Sequence, residues 1–225
     1  MKKSLIIMVL CVFGLTLTIS CNHSDTKAQI EKCIEEGDFT KAKQLNKKLE
    51  YGGMGLKICK AQVSSLIDEG QFNLAADVAK EDEDYGVYYE ILMGKLVQLY
   101  DKNPQGLMAA LASINFPTKD QQHWNGKYNP FLYMESFNAF FETYNNNIKQ
   151  LMIYAKANDD LEYAKKISAL LKPLYKSKMV KEEQTMSINT KTGERKKELV
   201  DVTKYEDTPT DFTQANQIKK ELGIK

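Results

Sequence analysis

The chain has 225 residues, 43% hydrophobic and 27% charged, with 31 basic against 30 acidic side chains. That length allows one domain with a real core, or one domain and a small appendage. A formal charge of +1 excludes the basic footprint that nucleic-acid binding needs, and two histidines leave zinc or Ser-His-acid chemistry only His23 and His123 to draw on.

The first element in chain order is a targeting segment. Lys2 and Lys3 give a short positive start, Leu5 to Phe13 is an unbroken apolar run, and Gly14 to Ser20 carries low polarity up to Cys21. Charge, apolar core and small residue in that order form a secretory signal, not a folded element. Leu5 to Ser20 also falls short of the ~20 residues a spanning helix needs. Ser20-Cys21 resembles the cleavage site of a bacterial lipoprotein signal peptide. Thr18 stands where the usual motif has Leu, with Leu17 one step earlier, a relaxed form similar to those of Bacteroidota lipoproteins. The resemblance implies that residues 1–20 are removed, that Cys21 is lipidated (with palmitate among the acyl chains), and that the chain sits in the cell envelope, in the outer membrane of a Gram-negative bacterium. Several acyl chains, at ~0.8 kcal/mol per buried methylene, hold such a protein stably. Residues 21–27 then form the lipidated cysteine and a polar spacer. Loss of Lys2 and Lys3 brings the formal charge from +1 to −1.

Of the four cysteines, Cys11 leaves with the signal and Cys21 is the anchor. Cys33 and Cys59 remain, and two readings stay open for them. Export permits one disulfide, yet both fall at apolar positions of predicted helices, where a free thiol acts as a small hydrophobe.

Residues 28–176 read as helical hairpins. Gly37-Asp38-Phe39-Thr40-Lys41-Ala42 is echoed by Gly70-Gln71-Phe72-Asn73-Leu74-Ala75, each copy following an acidic helix end. Gly supplies a left-handed cap, the aromatic packs into the turn, and Ala lets the next helix approach. A degraded third copy is Asn103-Pro104-Gln105-Gly106-Leu107-Met108, after a helix with Leu92, Leu96 and Leu99 on one face. A fourth is Asp159-Asp160-Leu161-Glu162-Tyr163-Ala164, preceded by Ile148, Met152 and Ala155 and followed by Ile167, Leu170 and Leu171. The pattern resembles the centre of a tetratricopeptide repeat, which implies side-by-side stacking of helical pairs and a groove for a protein or peptide. An irregular α-helical domain is the alternative.

Between the third and fourth copies, Phe116-Pro117 is expected to end a helix and a polar stretch runs from Thr118 to Asn129. Asn129-Pro130 reads as a helix start. Phe131, Met134, Phe137, Phe140, Phe141 and Tyr144 form an aromatic face, and Asn145-Asn146-Asn147 is expected to break or kink that helix. Residues 177–225 form a charged segment. Met186 to Asn189 and Leu199 to Val202 alternate around Lys191-Thr192-Gly193-Glu194, which reads equally as a small β-hairpin or as a tail without structure. Asp211-Phe212-Thr213-Gln214 resembles a capping box opening a short helix through Leu222, stopped at Gly223. The fold class is therefore mainly α.

Chemistry-bearing motifs are few. Tyr51-Gly52-Gly53-Met54-Gly55 lacks the strand and the Gly-Lys-Ser/Thr ending of a phosphate cradle and reads as a connector. Glu81-Asp82-Glu83-Asp84 lacks the spaced ligands of a calcium loop and reads as negative charge ahead of a helix beginning near Tyr85. His123, Trp124 and Tyr128 lie in a polar connection and are the candidate ligand- or partner-binding residues, since loops carry function and Trp and Tyr anchor interfaces; packing of Trp124 under its own loop is the competing reading. No catalytic residue, metal ligand or cofactor is assigned. The expected function is a membrane-tethered, non-catalytic interaction module for an envelope protein or peptide, with no nucleic-acid partner. The alternative is a glycan- or small-ligand-binding lipoprotein built on the Trp124 loop.

Overall fold

The computed structural model describes residues 24–49, 53–82, 84–118, 121, 123–124, 127–128 and 134–224, with the backbone alone for 123–124, 127–128, 134–136 and 185–187. It is mainly helical, with a long antiparallel hairpin near the C-terminus. The chain divides into two compact units, the first holding the helices up to Lys95 and the second the helices from Leu96 onward. No described helix is long and apolar enough to cross a membrane.

The first unit contains α1 (residues 24–35), α2 (Phe39–Asn46), α3 (Gly55–Asp68), α4 (Phe72–Glu81) and α5 (Tyr85–Gly94). The repeated motif has the geometry its glycines require. Gly37 and Gly70 lie at φ +75° and +77°. Asp38 N donates to Cys33 O at 2.8 Å and Gln71 N to Leu66 O at 2.8 Å, so both helix ends close with the same left-handed cap. Ala42 and Ala75 are fully buried where the following helices approach. Ile30, Cys33, Ala42, Leu49 and Ile58 form a core, with Ile34, Phe39, Leu45 and Met54 packed against it. Cys33 and Cys59 are both buried free thiols, so the small-hydrophobe reading holds and the disulfide does not form. Burial and the neighbouring Asp82 push the Cys59 thiol up to about 11, which keeps it protonated and unreactive.

One sequence expectation needs correction here. The helix carrying Leu92, Leu96 and Leu99 is two helices, α5 and α6 (Leu96–Lys102), separated at Lys95. Gly94 weakens the helix at that point, and the Lys95 ammonium is held by Asp68 at 2.6 Å and Ser64 at 2.8 Å. The acidic cluster leads, as expected, into a helix that begins at Tyr85. Glu81 ends α4, Asp82 binds Lys43 at 3.0 Å, and Asp84 caps α5 by accepting from Val87 N at 3.2 Å; Glu83 lies outside the described residues. In the Gly53–Gly55 connector, Asn46 Oδ1 accepts from Met54 N at 2.6 Å, tying the end of α2 to the start of α3.

The second unit contains α6, α7 (Pro104–Ala112), α8 (Met134–Ala157), α9 (Leu161–Ser168), β3 (Leu174–Ile188), β4 (Arg195–Asp211) and α10 (Thr213–Glu221). Helix α7 stops at Ala112, ahead of Phe116-Pro117, because Ser113 caps it and donates its hydroxyl to Ala110 O at 2.8 Å. Asn129-Pro130 and Phe131 lie outside the described residues. The aromatic face of α8 is confirmed: Phe137, Phe140, Phe141 and Tyr144 are buried, and Phe116 packs on the last three with ring centroids 6.0, 5.7 and 4.8 Å away.

Helix α8 is not broken at Asn145-Asn146-Asn147. Asn side chains disrupt helices by bonding nearby backbone, but the fully buried Asn145 is engaged elsewhere. Its Oδ1 accepts from Lys172 N at 2.7 Å, and its Nδ2 donates to Lys172 O at 2.8 Å and Gln214 Oε1 at 2.7 Å. One heptad earlier, Asn138 repeats the device: Oδ1 accepts from Tyr175 N at 2.8 Å and Nδ2 donates to Tyr175 O at 3.2 Å. Seven residues of helix and three of extended chain both advance about 10 Å, so the two amides match the segment that enters β3.

The fourth motif copy has the same left-handed cap without glycine. Asp159 stands at φ 61° and Asp160 N donates to Ala155 O at 2.9 Å. Asp160 then caps α9 through Tyr163 N at 2.9 Å and accepts from the Tyr100 hydroxyl at 3.0 Å. The third copy departs: Asn103 caps α7 from an extended backbone, with Pro104 in the first turn and no left-handed residue. Helix α10 begins and ends as the sequence indicates, with Gly223 at φ +65°. The capping box is incomplete, since Asp211 accepts from Thr213 N while Gln214 reaches Asn145 instead of turning back.

Candidate interaction surface

Cys21 lies outside the described residues. The mid-chain loop is two paired two-residue strands, β1 (His123–Trp124) and β2 (Lys127–Tyr128). His123 and Trp124 thus share one strand and Tyr128 stands on its partner; their side chains, and residues 125–126, lie outside the described residues.

The surface that the sequence underrated is the β3–β4 hairpin. It starts at Leu174 and runs far beyond the two short alternating stretches at Met186–Asn189 and Leu199–Val202. At about 3.3 Å per residue, an arm of this length reaches about 50 Å. The tip is built by Asn189, whose Oδ1 accepts from Lys191 N at 3.0 Å and Thr192 N at 3.3 Å, while Gly193 takes φ +70°. The register is continuous from Lys178 opposite Lys204 to Thr185 opposite Lys197.

Tyr175 at the base is buried, with its ring 5.4 Å from Phe137. From Lys176 to Asp211, no residue whose side chain is described is buried. An isolated two-stranded hairpin is marginal in water, so the order of the arm comes from its anchored base, its turn and its cross-strand pairs. On one face Val180 opposes Val202, with Val200 beside them, and the Lys204–Glu182 ion pair lies across this strip. On the other face Met179 and Leu199 are 61% and 69% exposed, with Ile188 near the tip at 57%. Lys197 and Glu183 pair at 3.6 Å on that side. Ile188, Asn189, Glu194, Arg195 and Lys196 line a shallow open concavity at the tip.

Elsewhere the titratable groups serve packing. Lys172 lies 4.8 Å over the Phe116 ring, and burial pulls its ammonium below the ordinary lysine range. Tyr100, Tyr154 and Tyr163 meet edge-on, and burial raises Tyr100 and Tyr163 above the ordinary phenol range. No group of three or more His, Cys, Asp or Glu placed to hold a metal occurs among the described residues. Among the described residues the arm carries exposed apolar side chains, alternating charge and no third strand on either edge, features through which a sheet edge can pair with another polypeptide. Neither family models, curated proteins nor solved structures gave a match to this chain.

Proposed function

We propose that the chain is a membrane-tethered, non-catalytic interaction module of the cell envelope. Cys21 is its attachment point, the helical pairs are its body, and the β3–β4 arm is the element that contacts a protein or peptide. The observation that carries this reading is the arm itself: a long ordered hairpin with no described buried residue beyond its base and with Met179, Ile188 and Leu199 exposed. A solvent-exposed apolar side chain is ordinary when alone, but three on one hairpin with no described core carry an aggregation cost that a bound partner would remove. The lipidated cysteine and its polar spacer would hold the protein at the membrane surface.

The test is cross-linking in intact cells followed by gentle detergent extraction, comparing wild type with Met179→Asp/Leu199→Asp. Wild type should recover an envelope protein in stoichiometric amount and the double variant should lose it. Equal recovery from both, or none from either, would overturn the reading.

The pairing of His123–Trp124 with Lys127–Tyr128 supports a second reading, a glycan or small ligand held at Trp124 and Tyr128. Trp124 is the only tryptophan, so its fluorescence should shift with a glycan panel. A blue-shifted emission that no glycan moves would exclude this second reading.

A further inference from the structure

We propose that the outer edge of β4 pairs antiparallel with the same edge of a second copy of this chain, about a two-fold axis at Asp201. The inference rests on the arm being the contacting element and names one partner for it.

In the two-stranded sheet one side of β4 faces β3, and among the described residues no strand lies on its other side. Two features bound the usable edge. The tip turn closes at Gly193, and Pro209 has no N–H to donate to a ladder. Both are eight positions from Asp201, so a two-fold axis there uses the whole edge between them.

The charge pattern changes sign about the same point. In this register Glu198 faces the second copy's Lys204, Lys196 faces Glu206 and Arg195 faces Asp207, and each pair occurs twice. Val200 faces Val202 and Leu199 faces Thr203. Every pairing of two charged residues between Arg195 and Asp207 is of opposite sign, apart from Asp201 on the axis. Asp201 opposes its own copy, but Lys181 stands directly across from it on β3 and offsets that repulsion. Within one chain, Glu198 pairs with Lys196 and Lys204 with Glu182, all on exposed or half-exposed side chains. Exposed pairs of this kind contribute little and exchange partners readily. Lysine and glutamate on an edge ordinarily prevent pairing; arranged with opposite signs about one centre, they select a single antiparallel register.

The register is tested by cysteine cross-linking of the full chain in isolated membranes under mild oxidation, with wild type alongside to account for its own cysteines. Opposed residues have Cα atoms about 4.5–5.5 Å apart, within disulfide reach. Asp201→Cys should therefore give a disulfide-linked dimer by itself. Leu199→Cys and Thr203→Cys should each give none alone, because their own copies lie about 13 Å away, but should link when co-expressed. Glu198→Lys should lower the yield of the Asp201→Cys dimer about tenfold, since two attractions become repulsions. Adding Lys204→Glu should restore it. Absence of the Asp201→Cys dimer, or equal linkage through Leu199→Cys alone, would overturn the proposal. If Asp201→Cys gives no dimer while Leu199 and Met179 still govern recovery of another envelope protein, self-pairing falls and the arm reading stands. If neither result appears, both fall.

Discussion

Asn138 and Asn145 show how single side chains set the position of the arm. Each amide satisfies both the N–H and the carbonyl of one residue in the segment leading into β3, a task otherwise done by a neighbouring strand. Asn145→Ala strands those groups and Gln214 in a buried site, which costs about 2–4 kcal/mol. Asn138→Ala, at a half-buried site, should cost about 1–2 kcal/mol. Urea denaturation monitored by circular dichroism reads both. The left-handed caps give a paired expectation of opposite sign. Gly70→Ala places a Cβ at φ +77° and should destabilise by about 1 kcal/mol, whereas Asp159→Gly relieves φ 61° and should stabilise by up to about 1 kcal/mol. Equal effects from the two would contradict the assignment of these caps.

At the scale of elements, what was legible in the sequence followed from burial. The Gly37 and Gly70 caps, the aromatic face of α8 and the limits of α10 could be read because each imposes a local residue requirement. The unbroken course of α8 could not. Three consecutive Asn read as a breaker, and only tertiary partners distant in sequence, Lys172 and Gln214, divert Asn145 from its own backbone. The length of the arm was hidden for the opposite reason. Both faces of β3 and β4 meet solvent, so no apolar alternation marks the strands outside Met186–Asn189 and Leu199–Val202. The arm therefore joins the Trp124 loop as a candidate surface, although its sequence reads as charge-rich with only two short alternating stretches.

Helix α10 allows a pH test at this scale. Its hydrogen bond to Thr213 holds Asp211 below the ordinary carboxylate range, and the Lys149 contact, followed by Gln217, does the same for Glu221. Both folded-state values are depressed, so the stabilisation is present above the ordinary carboxylate range and is lost as pH falls through the folded values. Amide-exchange protection of α10, corrected for intrinsic rates, should fall between neutral pH and pH about 3, while the buried middle of α8 keeps its protection. Uniform loss across both helices would contradict a local effect.

For the whole molecule, packed helices in each unit contrast with an arm that has no core of its own. Stability resides in the helices, so charge or polar substitutions along the arm should leave it within about 0.5 kcal/mol. Contact with a partner should depend on the arm instead. The most direct measurement is photo-cross-linking in intact cells, with a photoreactive residue placed in turn at Leu199 on the arm and at the exposed Leu74 of α4. Adducts should form from Leu199 and not from Leu74, their mass identifying either a second copy or an envelope protein. Adducts from Leu74 alone, or from neither position, would contradict the arm as the contacting element.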